Sequence, residues 1–196
     1  MEKLSIIGAG SLGLALAKGL VKAGTFAASD IFLSKHSTKH IEKIEALGFS
    51  ISTQNLDAVQ FAKTIVIAVL PQQVNKVLEE IAPHLTPQHC LVSLVTGIEI
   101  EQIEKHTNSV CPVVRAMPNT AIAIGESMTC VCANENAKQH ITLVQHLFEA
   151  VGQVIVIDEN QMTSATALCA CGIAFFMRAI RAASQGGIEV DFHAGE

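Results

Sequence analysis

Three glycines, Gly8, Gly10 and Gly13, stand at GxGxxG spacing inside "LSIIGAGSLGLALAKGL", residues 4 to 20. The first suits a tight turn, the second lets a diphosphate approach the main chain, and the third lets a helix pack closely on a sheet. Between them Ala9, Ser11 and Leu12 are small or uncharged. The amides near Ser11 and Leu12, at the positive end of a helix, are therefore the groups that would face phosphate oxygens. The pattern gains its meaning from context, because an apolar strand-length run precedes it and a helix-period run follows it. A dinucleotide is the expected ligand.

The end of the second strand bears on which dinucleotide, since an acidic side chain there accepts from a free ribose. Here the segment reads "FLSKHSTK", with Asp30 at the opposite end of the strand, and Ser34, Lys35, His36 and Ser37 are donors suited to a 2′-phosphate. NADPH is expected ahead of NADH. Three further strand ends carry compact turns: Ala68, Val69, Leu70 and Pro71 in "AVLPQQV"; Leu94, Val95 and Thr96 in "SLVTG"; and Met117, Pro118 and Asn119 in "RAMPNTAIAIG". None of these turns contains a histidine paired with a carboxylate, a metal-ligand cluster or a nucleophile beside a base. No metal is expected, and any chemistry would come from the cofactor while the protein orients it.

These residues need a scaffold that brings strand ends together. Apolar runs at about 4–8, 30–34, 49–52, 64–70, 90–95 and 111–116 alternate with helix-period segments at about 11–23, 37–47, 55–61, 72–82 and 99–106. Gly24 and Gly48 serve as C-terminal caps of the first two helices. This is the rhythm of an α/β, Rossmann-type, doubly wound and mostly parallel sheet. "SMTCVCA", a helix closed by Gly152, and "QVIVID" extend the same sheet. Residues 1–157 form the expected nucleotide-binding domain, and 158–196 begin a helical, all-α segment. That segment is apolar on more than one face, so a helix at 160–183 needs a covering surface.

Composition narrows the class. The chain has 196 residues, 49% hydrophobic, with a net charge of −5 and no basic cluster, which leaves nucleic acid without an electrostatic footprint. No run approaches the roughly 20 apolar residues of a membrane span, and the start lacks the form of a signal peptide. A cytoplasmic protein without membrane insertion is expected. The six cysteines make no CxxC and are expected to be reduced core residues.

The ordered segments "IIGAGSLG", "NLDAVQFAKTIVIAVLPQQV", "LVSLVTGI", "VVRAMPNTAIAIGESMT", "LFEAVGQVIVIDENQM" and "TALCACGIAFF" resemble pyrroline-5-carboxylate reductase over essentially the whole chain. The resemblance implies NAD(P)H-dependent reduction of the cyclic imine 1-pyrroline-5-carboxylate to L-proline. It also implies a homodimer or larger assembly made through C-terminal helices. Gly8 to Gly13 would then hold the pyrophosphate, Ser34 the adenosine end and Asn55 the adenosine ribose. Ala68 to Pro71 and Leu94 to Thr96 would line the cofactor, Met117 to Asn119 the nicotinamide, and Thr166 would stand close to the substrate as the catalytic threonine.

The family's serine-glycine-serine-glycine-proline turn, which cradles the substrate carboxylate, reads here Cys169, Ala170, Cys171, Gly172, Ile173. Both hydroxyl donors are replaced by weakly donating thiols. The family also continues for several helices past the position of Glu196, so a truncated chain or a shortened relative is expected. Reduction of another imine or carbonyl, and a catalytically silent NADP-binding role, are the alternatives that these departures leave open.

Overall fold

The structure, a computed structural model, describes residues 3–193; residues 1–2 and 194–196, the outer ends of the two expected domains, lie outside it. Strands β1 (Leu4–Ile7), β2 (Ile31–Ser34), β3 (Ser50–Ser52), β4 (Thr64–Ile67), β5 (Cys90–Ser93), β6 (Val113–Met117), β7 (Ser127–Ala133) and β8 (Gly152–Val156) form one sheet. Its spatial order is β3-β2-β1-β4-β5-β6-β7-β8. Every pairing is parallel except β6 with β7. β1, β4, β5 and β6, at the centre of the sheet, are short, mainly apolar and almost wholly buried runs, as expected of strands covered on both faces, whereas the edge strand β3 is half-buried.

Helices α1 (Ser11–Lys22), α2 (Ile41–Glu45), α3 (Asn55–Phe61), α4 (Pro71–Ile81), α5 (Ile100–His106) and α6 (Ile141–Glu149) connect the strands. Alternate strand residues feed opposite faces. Leu4, Ile6, Leu33, Val66, Val92 and Val114 join Leu16 and Leu20 of α1 and Phe148 of α6 in one core. Ile7, Ile65, Ile67, Leu91 and Val113 join Val74 and Leu78 of α4 and Ile103 of α5 in the other. Ser5, also fully buried, is accommodated because its hydroxyl donates to the Ala58 carbonyl at 2.7 Å.

After β8 the chain forms one 31-residue helical run, Glu159–Glu189. It comprises a 3₁₀ turn (Glu159–Gln161), α7 (Met162–Ala165), a π-helical segment (Thr166–Cys171) and α8 (Gly172–Glu189). Most of α8 is exposed: Phe175 is 74% accessible and Phe176 65%.

Several sequence expectations are corrected. The helix expected across 134–151 begins as a 3₁₀ segment, Glu135–His140, because Asn134 caps the Ala137 amide in a tight turn, and becomes α-helical only at Ile141. The run expected at 64–70 leaves the sheet after Ile67, since Pro71 starts α4. The C-terminal helical run is long and apolar enough by length and composition to cross a membrane. Reading uninterrupted apolar stretches missed it, because Arg178 and Arg181 break the apolar run without breaking the helix. Of the cysteines, Cys90, Cys111, Cys130 and Cys132 are buried, but Cys169, on the face of the helical run that packs on the core, is half-buried and Cys171, further along the same run, is exposed.

Candidate functional site

Parallel register brings the expected turns to one edge of the sheet. Ile7 lies beside Ser34 and Ile67, Ile67 beside Ser93, and Ser93 beside Arg115, so the chain leaves β1, β2, β4, β5 and β6 at nearly the same level. Main-chain bonds lock the departures together: the Ala68 amide donates to Ile7 O at 2.8 Å and the Leu94 amide to Ile67 O at 2.9 Å. In open sheets of this kind the crevice outside the carboxyl strand ends is the ligand site.

The glycine turn divides its work as the motif requires. Gly8 has φ +108°, and a Cβ there would stand 2.5 Å from the Ala68 carbonyl oxygen. A Cβ on Gly13 would stand 2.3 Å from Gly8 O, so helix α1 lies against the turn as closely as backbone permits. At Gly10 a Cβ would meet nothing within 4 Å. The amides of Gly8 and Ala9 donate to Ser34 O, at 3.1 and 2.8 Å, and are occupied within the chain. Helix α1 begins at Ser11 with neither a side-chain cap nor an acidic residue in its first turn. An open approach at Gly10, uncapped amides and the positive helix end together fit a diphosphate.

Ser34 is fully buried and its hydroxyl donates to Asn55 Oδ1 at 2.7 Å. Asn55 Nδ2 in turn donates to Glu80 Oε2 at 2.9 Å. Ser34 thus fixes the side chain of Asn55, the residue next to the ribose in the resemblance. Beyond it Lys35 is half-buried while His36 and Ser37 are exposed. Leu94 and Val95 are buried, whereas Leu70, Pro71 and Thr96 are exposed at the edge. Thr96 Oγ1 lies 3.9 Å from Met117 Sδ, which ties the β5 and β6 ends together.

The helical run reaches this edge through two connections. Arg115, buried on β6, pairs with Glu159 at 2.7 Å, and the same carboxylate oxygen accepts the Ile100 amide at 2.8 Å. Further along, Asn119 Nδ2 donates to the Cys169 carbonyl at 3.1 Å. The expected turn at Cys169–Gly172 is corrected: Thr166–Cys171 is π-helical, with the Gly172 amide donating to Ala167 O, because the chain continues as a helix. Such widened turns recur at functional sites. Thr166 Oγ1 donates to Met162 O at 2.7 Å, leaving its lone pairs as acceptors. Sequence reasoning missed Arg115 and Glu159; a basic residue inside an apolar strand was the available signal.

Burial pushes the Cys90 thiol up to about 12 and those of Cys111, Cys130 and Cys132 up to about 11. For Cys130 the neighbouring Cys169 adds to the rise. These thiols stay protonated and are poor nucleophiles. Among the described residues no group of three or more His, Cys, Asp and Glu side chains is placed to hold a metal ion.

Comparison with known proteins agrees with this geometry. Residues 3–97 match the family model described as NADP oxidoreductase, coenzyme F420-dependent. Pyrroline-5-carboxylate reductase 1 of Dictyostelium discoideum is 41% identical across 97% of this chain, which spans 37% of that relative. Pyrroline-5-carboxylate reductase 2 of the same organism is 38% identical across 98% of this chain, which spans 70% of it. The crystal structure of the Plasmodium falciparum pyrroline carboxylate reductase with NADP bound superposes with a TM-score of 0.89 at 28% identity, covering 99% of this chain and 72% of that one. The chain belongs to the pyrroline-5-carboxylate reductase family.

Proposed function

We propose that this chain binds NADPH at the carboxyl edge of the sheet and reduces the C=N bond of 1-pyrroline-5-carboxylate to give L-proline. The observation that carries the reading is the edge itself: an uncapped helix start with an open Gly10 lies in register with the turns that would line a nicotinamide. In this reading Gly10, Ser11, Leu12 and Gly13 hold the diphosphate, Lys35 and His36 the adenosine 2′-phosphate, and Asn55, half-buried and fixed by Ser34 and Glu80, the ribose through the second proton of its Nδ2. NADH, without that phosphate, binds more weakly. The reduced nicotinamide supplies a hydride when bound.

The chain's own residues orient and bind. A cyclic imine is protonated on its own nitrogen, so the site needs no protein acid, in keeping with strand-end turns that carry none. Thr166, whose hydroxyl proton is committed to Met162 O, offers an acceptor to the iminium N–H. The segment Cys169, Ala170, Cys171 and Gly172 meets the carboxylate. With thiols where the family has hydroxyls, that contact is weak, which favours a second reading: an imine or carbonyl lacking a carboxylate. Steady-state oxidation of NADPH tests both. Turnover of 1-pyrroline-5-carboxylate supports the first; turnover of 1-pyrroline alone supports the second; a chain that binds NADPH and reduces neither overturns both in favour of a silent binding protein.

The exposed apolar side chains of α8 support a homodimer or larger assembly, with residues 158–196 the start of its interface domain and 1–157 the nucleotide domain. A bilayer is a poorer cover, since Arg178 and Arg181 lie well inside the helix, and each would cost roughly 2.5–3.5 kcal/mol near a membrane centre. Light scattering reads the outcome: a monomer at micromolar concentration contradicts the assembly. A cytoplasmic location belongs to the same proposal.

A further inference from the structure

The geometry points to Asn119 as a positioning residue that couples the cofactor-side end of β6 to the substrate-side helix, and not as the direct nicotinamide contact that the resemblance implies. The inference deepens the imine-reductase reading and rests on it for the two sides' names.

Asn119 is 8% exposed, and each of its four polar groups already has a partner within the chain. Its amide donates to Ser127 Oγ at 3.1 Å, its carbonyl accepts the Ile122 amide at 3.1 Å, and its Oδ1 accepts the Ala121 amide at 3.0 Å. The fourth, Nδ2, donates to Cys169 O at 3.1 Å across 50 residues of sequence. One side chain therefore holds the β6 end, the following 3₁₀ turn (Thr120–Ile124) and the π-helical segment together, while its amide reaches the start of β7. Swinging the amide toward a ring ligand would break two of these bonds and leave the Ala121 amide and the Cys169 carbonyl without those partners.

The bond falls where position matters most. Cys169 opens the segment proposed to meet the substrate carboxylate, and Thr166 lies one helical turn before it. The upstream anchor, Glu159 on Arg115 and the Ile100 amide, fixes where the helical run starts but not the rotation of the π segment ten residues later. Met162, Ala165, Cys169 and Ala170 pack on the core beneath it, and Asn119 adds the hydrogen bond that fixes the backbone at Cys169. Substrate affinity thus depends on Asn119, and cofactor affinity does not.

Asn119→Asp keeps the acceptor for Ala121 and replaces the donor to Cys169 by a second acceptor. Asn119→Ser is the companion should the charged variant fail to fold. Binding of NADPH by fluorescence titration is expected within about twofold of the parent, while KM for 1-pyrroline-5-carboxylate rises about tenfold, the equivalent of one net hydrogen bond. Iodoacetamide labelling of Cys169, read by mass spectrometry, is expected to speed up several-fold while Cys90 and Cys111 stay unlabelled. A tenfold loss of NADPH affinity with unchanged KM would establish a direct cofactor contact and overturn the inference, as would unchanged KM and labelling. If the parent reduces no imine, the functional reading fails on its own. The labelling arm then decides: faster Cys169 modification sustains the positioning role and an unchanged rate refutes it.

Discussion

Replacing Gly10 by alanine separates the diphosphate site from the fold that carries it. Gly10 has φ −82° and ψ −164°, a conformation open to any residue, and a Cβ there would touch nothing. The methyl group restricts the unfolded chain, a gain of about 0.4–1 kcal/mol. Alanine is also a poorer helix N-cap than glycine by a comparable few tenths to 1 kcal/mol. The two offset, so melting should change by less than about 2 °C for a chain of this size.

Binding is another matter, because the new methyl group occupies the space through which phosphate oxygens reach the α1 amides. Losing one hydrogen bond to a charged group costs about 1.5–3 kcal/mol, or roughly 10- to 150-fold in NADPH dissociation constant. Gly8→Ala is the contrast. There φ is +108° and the methyl would lie 2.5 Å from Ala68 O. Backbone strain and overpacking each cost about 1–3 kcal/mol, so melting should fall by roughly 4 °C or more. Fluorescence titration and thermal melting of the three proteins decide. Parent-like NADPH binding by Gly10→Ala, or a melting loss as large as that of Gly8→Ala, would contradict a diphosphate held at Gly10.

Other outcomes follow from the same geometry. Restoring hydroxyls with Cys169→Ser and Cys171→Ser should lower KM for 1-pyrroline-5-carboxylate, by about tenfold for each new bond to its carboxylate, and leave KM for 1-pyrroline unchanged in steady-state assays. Glu159→Ala leaves the buried Arg115 unpaired at a cost of about 3–5 kcal/mol, visible as a drop of roughly 6 °C or more in calorimetry. The thiols of Cys90, Cys111, Cys130 and Cys132 ionise near 11 to 12 when folded and near the ordinary 9 when unfolded. Between those values the folded chain binds more protons than the unfolded one, so urea stability should be level below pH 8 and fall as pH rises beyond about 9. Replacing the four by alanine or serine should flatten that decline.

The order of sheet elements was legible because period and punctuation agreed: each short apolar run ended at a glycine, proline or polar turn. GxGxxG at the first such end was equally legible, and the open space at Gly10 accords with it. What periodicity did not reveal was which donors are already engaged. Ser34 looks like a phosphate ligand in sequence, yet its hydroxyl serves Asn55, and Asn119 looks like a cofactor contact while its amide holds Cys169. Both bonds join residues 21 and 50 positions apart, a distance over which local pattern carries no information. The arginine-glutamate pair that anchors the helical run spans 44 positions and was hidden for the same reason. Likewise, Cys171 reads as a core residue by type and is exposed, although Cys169 and Ala170 on the same segment pack on the core.

Hydride delivery from a nicotinamide held at this edge to the carbon of a cyclic imine can be followed by isotope transfer. Single-turnover reaction with NADPH deuterated at the transferring position should place one deuterium on the proline ring carbon that had been doubly bonded to nitrogen. Unlabelled proline, or bound NADPH that passes no deuterium to the imine, would contradict it.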